Sequence, residues 1–443
     1  MLLMSIIKKM NKNPTPVCTH YTRKMAESVR STSETMFPRF DSRKVKLISR
    51  RMDFWDGWFV TDVHGNIANV GGYKVMVGLG RLLSSSSHPR LVYFYSRDDD
   101  HYVEGGPLLP TPLIKDAKEW SGSTILRPDG TLQTFYTIVN TFYNRTGRQN
   151  HQRIATAIQK VHADSRGLRF SAPTFHDILF GPDGKYYQTI DQAWALEEKM
   201  PTRNDWNRGS ALNNNFCFRD PKFVFDEDEN KAYLLFEANT GPRSGDPENT
   251  VKAEYVGGPT SRYQATADAL KANGCVGVAE LHMDNVGVRH LTRANLLPPL
   301  LTTNLVTDEI ERINAVKYDN YWYLFCVTHT NKWAFNNPSL MNRDIMLGFR
   351  SRHLMGPYEP LNGNGVVVQQ YSPGKRQTAV HQNRQRVYSW LLLSDMTITS
   401  YADYGTNQNG QLIKQRTVAP SVALKIDGLR TKITKVLYNV NPA

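Results

Sequence analysis

The stretch KFVFDEDENKAYLLFEA, residues 222–238, reads as two apolar, aromatic-rich runs folded back on each other across the polar turn DEDEN. Runs of that length and composition, joined by a short polar turn, predict a β-hairpin. The same form recurs in STILRPDGTLQTFYTIV (123–139), HDILFGPDGKYYQTI (176–190) and NAVKYDNYWYLFCVTH (314–329), with turn centres near Asp129, Asp183, Asp228 and Asp319. Four such units point to one repeated supersecondary element. Further strands are legible at GYKVMVGL (72–79), RLVYFYSR (90–97), CVGVAEL (275–281), DIMLGFRS (344–351), RVYSWLLL (386–393) and APSVALKI (419–426), and ATADALKANG (265–274) carries a short helix. Irregularly spaced meanders of this kind fit an all-β fold, a five-bladed β-propeller, better than a sandwich. In a propeller the inner strands converge on a central channel, so residues far apart in sequence can share one site.

The composition is that of a soluble globular protein: of 443 residues, 40% are hydrophobic and 21% charged. The formal net charge of +13 is concentrated at the start, where the first 51 residues hold twelve Lys and Arg against three acids. Residues 1–50 therefore read as a basic, irregular segment and 51–443 as the propeller. With no nucleic-acid-binding motif beside it, the basic head is expected to be a solvated tail rather than a nucleic-acid arm. No run approaches the ~18 apolar residues of a membrane span, and MLLMSII precedes Lys8, Lys9 and Lys12, the reverse of a secretory signal. Cys18, Cys217, Cys275 and Cys326 form no C-x-x-C pair, which leaves zinc and dithiol chemistry unsupported; Cys217 and Cys326, in apolar runs, are expected as buried thiols.

Three acidic motifs stand out. In FWDGWFV (54–60), Asp56 lies between Trp55 and Trp58; indole faces beside a carboxylate suit sugar recognition, and a turn Asp beside packing tryptophans is the plainer alternative. In FRDPKFVF (218–225), Arg219 precedes Asp220; the guanidinium can keep a carboxylate ionised or serve a structural ion pair. In TDEIER (307–312), an extended backbone would point Glu309 and Glu311 to one face and Asp308, Ile310 and Arg312 to the other. Two neighbouring carboxylates repel, which raises the pKa of one and makes it a proton donor. A general acid beside a permanent carboxylate is the equipment of glycoside cleavage.

Together with WSGST (120–124), FEANTG (236–241), ANGCVGVAEL (272–281) and GPYEPLNG (356–363), these motifs resemble glycoside hydrolase family 68, the levansucrases, inulosucrases and related β-fructofuranosidases, over the chain from Trp55 to about residue 428. The resemblance implies a five-bladed propeller with its active site in the central channel. It also implies a retaining fructosyltransferase that cleaves sucrose, releases glucose and passes fructose to a β-fructan, to sucrose or to water. A mainly hydrolytic, invertase-like enzyme is the close alternative, and a non-catalytic fructan-binding propeller a distant one. Carried over position by position, Asp56 is the implied nucleophile, Asp220 the transition-state stabiliser and Glu311 the acid/base. Trp55, Trp120, Ser121, Arg219, Glu237, Glu309 and Arg312 match positions that line or brace the sucrose pocket, and His329 matches one on the acceptor side.

The resemblance requires no cofactor. Many members bind a structural calcium through an acid matching Asp308; here Asp308 and Asn273 are kept, but Asn214 replaces an expected Asp and no clear glutamine follows FEANTG, which puts the ion in doubt. Ala379, Val380 and His381 stand where many relatives have Tyr-Ser-His, a lost site tyrosine. Partners are expected to be sucrose and fructan or oligosaccharide acceptors, with no nucleic acid, no membrane span and a monomeric state. The resemblance implies an extracellular enzyme; the N-terminus leaves a cytoplasmic one as the alternative.

Overall fold

The computed structural model describes residues 15–84, 88–98, 101–144, 147–200, 216–241, 245–283, 291–340, 343–371, 384–438 and 441–442. Five antiparallel sheets follow one another along the chain as the blades of a propeller. Blade I holds Met52–Phe59, Lys74–Leu82, Arg90–Ser96 and His101–Pro107; blade II, Lys118–Leu126, Leu132–Asn144, Gly147–Gln159 and Phe175–Phe180. Blade III holds Phe218–Asp226, Lys231–Asn239, Gly274–Leu281 and Ala294–Thr302. Glu311–Tyr318, Tyr321–His329 and Arg343–Ser351 form blade IV, edged by Glu359–Pro360 and Val366–Tyr371; blade V is Val387–Leu392, Thr397–Ala402, Ser421–Asp427 and Arg430–Leu437.

Three of the four expected hairpins are the inner strand pairs of blades II, III and IV. The tightest is Tyr318 opposite Tyr321, where Asp319 and Asn320 both take positive φ (48° and 61°), the left-handed pair a two-residue hairpin turn demands. The fourth, 176–190, is not a hairpin. Asp183 Oδ1 accepts the backbone N–H groups of Lys185, Tyr186 and Tyr187, so those donors are spent locally rather than on a return strand. Thr189 and Gln192 then form a reciprocal capping box that starts the helix Ile190–Lys199. The short helix expected near 265–274 is present as Ala267–Lys271.

Hydrophobic clusters fill the spaces between adjacent blades. One joins III and IV (Val224, Leu235, Ile313, Leu324), another IV and V (Phe325, Val368, Trp390, Val422), and others I and II and II and III. Each sheet thus buries both faces, which is why its strands read as near-continuous apolar runs rather than strict alternations.

The described part of the basic head is not a solvated tail. Thr19–His20 adds a parallel strand beside Leu301–Thr302 on blade III, and Tyr21, Ala26 and Val29 are buried in the cluster between blades III and IV. Farther on, Met36 bridges Gln369 on blade IV and Lys46 bridges Thr406 near blade V. All four cysteines are free, with Cys217, Cys275 and Cys326 buried. No helix among the described residues is long and apolar enough to cross a membrane.

Candidate active site

Every innermost strand breaks its pairing register near the channel. The irregularities fall at Trp55/Trp58, Trp120/Gly122, Arg219/Lys222, Glu311/Asn314 and Tyr388/Leu391, one per blade. In four of them a residue other than glycine takes the left-handed conformation: Asp56 (φ 51°), Asp220 (φ 58°), Arg312 (φ 56°) and Ser389 (φ 66°). In the fifth, a Cβ on Gly122 would meet the Phe135 carbonyl oxygen at 1.9 Å, so only glycine fits beside Ser121. A bulge re-aims side chains that a regular pleat would send into an inter-blade core.

The re-aimed groups meet. Asp220 accepts a hydrogen bond from Ser121 Oγ (2.6 Å) and another from the Arg312 backbone N–H (3.3 Å), while its own N–H donates to Thr137 Oγ1 (2.9 Å). Arg312 Nη2 donates to the Gly57 carbonyl oxygen (2.9 Å), next to Asp56. Asp56, Asp220 and Arg312 are electrostatic neighbours: burial pushes the Asp56 carboxyl up, Arg312 opposes that, and Asp220 adds to it.

Arg219 ties the remaining acids together. Its Nε lies 2.6 Å from Glu237 Oε2, and its Nη2 is 3.2 Å from both Glu309 Oε2 and Glu311 Oε1. Lys332 Nζ is ion-paired to Glu309 as well. Burial alone would raise the Glu309 pKa, but Lys332, Arg219 and His329 outweigh it and bring it down to about 2. The Glu311 carboxyl is pushed up, first by burial and next by Glu309. A carboxylate held ionised and a carboxyl with raised proton affinity therefore stand side by side.

The backbone reason differs from the expectation. Residues 308–310 are not strand; the strand begins at Glu311, and left-handed Arg312 swings back to the site instead of facing away from it. Arg312 is a site residue because of the bulge.

Trp55 stacks beneath Arg416 (4.9 Å from guanidinium carbon to ring centre), and Arg219 lies 5.8 Å from the Trp120 ring centre. Trp58 instead belongs to the core, its Nε1 donating to Thr124 Oγ1 of blade II (3.1 Å). His329 Nε2 is 3.8 Å from Glu311 Oε2.

Sequence reasoning missed Lys332 and Tyr388. Lys332 arrives through the 3-10 turn Thr330–Lys332, and Tyr388 touches Glu311 from blade V with its hydroxyl. Neither carries a local signal beyond its place in THTNKW and RVYSW. A tyrosine thus does stand at the site, although Ala379, Val380 and His381 themselves lie outside the described residues. Burial, reinforced by Glu311, pushes the Tyr388 phenol up, so it remains a donor.

Ligand atoms of Glu309, Glu311 and His329 lie within 4.8 Å of one another, but Arg219 and Lys332 already supply the positive charge a metal would bring. The calcium set fits no better. Asn273 Oδ1 accepts from Asn239 Nδ2 (3.1 Å), and its Nδ2 donates to Gln188 Oε1 (3.0 Å) and the Thr240 carbonyl (2.8 Å). Burial pushes the Asp308 carboxyl up to about 7 against the pull of Lys332, and its Oδ1 has no hydrogen-bond partner among the described residues. Among the described residues that makes one such oxygen, against the 6–8 that calcium takes. Asn214 lies outside the described residues.

The sequence profile of the Levansucrase/Invertase family matches residues 10–439. The chain belongs to the levansucrase/invertase family. Among its relatives, a levansucrase of Bacillus amyloliquefaciens is 30% identical over 427 residues, covering 90% of this chain and 84% of its own. An extracellular sucrase of Zymomonas mobilis is 29% identical over 400 residues, 88% of this chain and 86% of its own. The crystal structure of Bacillus subtilis levansucrase superposes with a TM-score of 0.78 at 27% identity, over 96% of this chain and 98% of that one. A levansucrase variant crystallised in complex with sucrose has a TM-score of 0.77 at 27% identity over the same shares. Those figures span all five blades, so the family's fold extends to every strand that feeds the channel.

Proposed function

We propose that this protein is a retaining fructosyltransferase acting on sucrose, with Asp56, Asp220 and Glu311 as its three working acids. The observation that carries the reading is their convergence from blades I, III and IV, with the Glu311 carboxyl pushed up by burial and by the ionised Glu309 beside it. In the first step Glu311 gives its proton to the glycosidic oxygen while Asp56 attacks the anomeric carbon, so glucose leaves as a neutral sugar and fructose stays bound to Asp56. Asp220, pinned by Ser121 and the Arg312 N–H, faces the fructosyl ring as positive charge develops on it. In the second step the Glu311 carboxylate takes a proton from an acceptor hydroxyl, the acceptor oxygen replaces Asp56, and both acids return to their starting states.

Two buried polar atoms support a sugar in this place. Glu309 Oε1 and Arg312 Nε have no hydrogen-bond partner among the described residues, and sugar hydroxyls would satisfy both. The reading calls on no metal: Arg219 and Lys332 supply the positive charge beside Glu309 and Glu311. We place the enzyme outside the cell, in keeping with the related extracellular sucrase.

The test is incubation with sucrose, following glucose, fructose and polymer together. Glucose in excess of free fructose is the expected result and measures transfer. Equal amounts would mean that water is the acceptor; absence of glucose would overturn the proposal.

A further inference from the structure

His329 ends the second strand of blade IV and sits opposite Asp344 in the sheet. Its Nδ1 is hydrogen-bonded to Asp344 Oδ1, and its Nε2 is turned toward Glu311 Oε2, 3.8 Å away. Asp344 is wholly buried, and its second oxygen accepts from Arg386 (Nη2, 3.1 Å), which in turn pairs with Asp403 (3.0 Å). Tyr388 stacks on the imidazole at 4.4 Å between ring centres and 15° between planes, and its hydroxyl reaches the same Glu311 oxygen. The ring is therefore fixed in plane, in tilt and in which nitrogen faces which carboxylate.

We propose that Asp344 is a positioning residue for the reaction: by holding His329 through Nδ1 it keeps a cationic ring against Glu311 and sets the charge that Glu311 meets as it gives up and regains its proton. This rests on Glu311 being the acid/base. The groups facing His329 are Glu309 and Glu311 at the entry to blade IV, Asp344 on the adjoining strand, and Tyr388 and Arg386 on blade V; Lys332, on the following turn, is committed to Glu309. Burial alone would favour the neutral imidazole, but Asp344, and then Glu311 and Glu309, raise its affinity for the proton. A cation beside a carboxyl favours the ionised form and so makes a stronger acid of Glu311. Removing the charge of Asp344 should release His329 to neutrality and leave Glu311 a weaker acid that keeps its proton to higher pH.

The experiment is the pH dependence of glucose release from sucrose by the wild type, Asp344→Asn, His329→Gln and the double variant, with Tm measured alongside. The amide oxygen of Asp344→Asn can still accept from Nδ1–H, with its NH2 turned to Arg386, so the bond to the ring is kept while the charge is lost. The alkaline limb of kcat is expected to move upward by about one pH unit in each single variant, and no farther in the double variant than in His329→Gln. A purely structural Asp344 would lower kcat alike at every pH with the limb unmoved, and that result, or additive shifts, overturns the proposal. Should Asp344→Asn fail to fold, titration of the His329 ring in the wild type by NMR decides: the ring is expected to titrate above the ordinary value of ~6.5, and titration at or below that value overturns the proposal. A wild type that releases no glucose at any pH would defeat the sucrose reading but not the NMR result.

Discussion

Lys332 gives the sharpest stability test of the charged cluster. Its ammonium is paired to Glu309, both side chains are almost fully buried, and Glu309 titrates at about 2 instead of its usual 4.5. At 1.36 kcal/mol per pKa unit that depression amounts to about 3 kcal/mol of native-state stability. Because the folded pKa lies below the unfolded one, the contribution is complete above pH 4.5 and disappears as pH falls through 2. Lys332 is the largest of the three lowering influences, ahead of Arg219 and His329. Lys332→Met should therefore destabilise the protein by about 3 kcal/mol at pH 7, within the range for orphaning one member of a buried pair. Adding Glu309→Gln removes the orphaned charge, so the double variant should be more stable than Lys332→Met alone. Urea unfolding of the four proteins of this cycle at pH 7 and pH 3.5 measures the coupling, which should shrink at the lower pH. A loss below about 1 kcal/mol at pH 7, or a double variant no more stable than Lys332→Met, would refute the claim that Lys332 holds Glu309 ionised.

Three further outcomes are expected. Asp56→Ala and Glu311→Ala should each reduce kcat for glucose release by several orders of magnitude, with circular dichroism unchanged; near-normal turnover in either would remove that residue from its role. Ser121→Ala deletes the hydroxyl that donates to the Asp220 carboxylate and should lower kcat roughly 10- to 100-fold, the worth of a hydrogen bond to a charged group; an unchanged kcat would mean that this bond does not tune Asp220. Dialysis against EDTA should leave Tm and activity unchanged, and a drop in Tm restored by calcium would contradict the reading of Asp308.

Much of the fold was legible because strand periodicity is a local property. The 123–139, 222–238 and 314–329 hairpins were found from their turns and apolar runs alone. The 176–190 segment misled because its composition is that of a hairpin while Asp183 and the Thr189 capping box redirect the backbone, an outcome of competing hydrogen bonds that hydrophobicity does not register. The basic head was misjudged for a related reason: charge counting sees its lysines and arginines but not that Tyr21, Ala26 and Val29 find a groove between two blades.

The sequence by itself determined the propeller's repeating strands and, through motif resemblance, the three acids and most of their neighbours. Tertiary structure alone decided how those side chains point. Five bulges, four of them with a residue other than glycine in the left-handed region, override strand alternation at the channel and turn Asp56, Asp220 and Arg312 inward. Strand pairing within blade IV brings Lys332 and Asp344 to the neighbourhood of Glu309 and Glu311, and only the packing of blade V against it brings Arg386 and Tyr388. Their charges act over a few ångströms in a buried space, between positions as many as 79 residues apart in the chain, and no local pattern encodes that proximity.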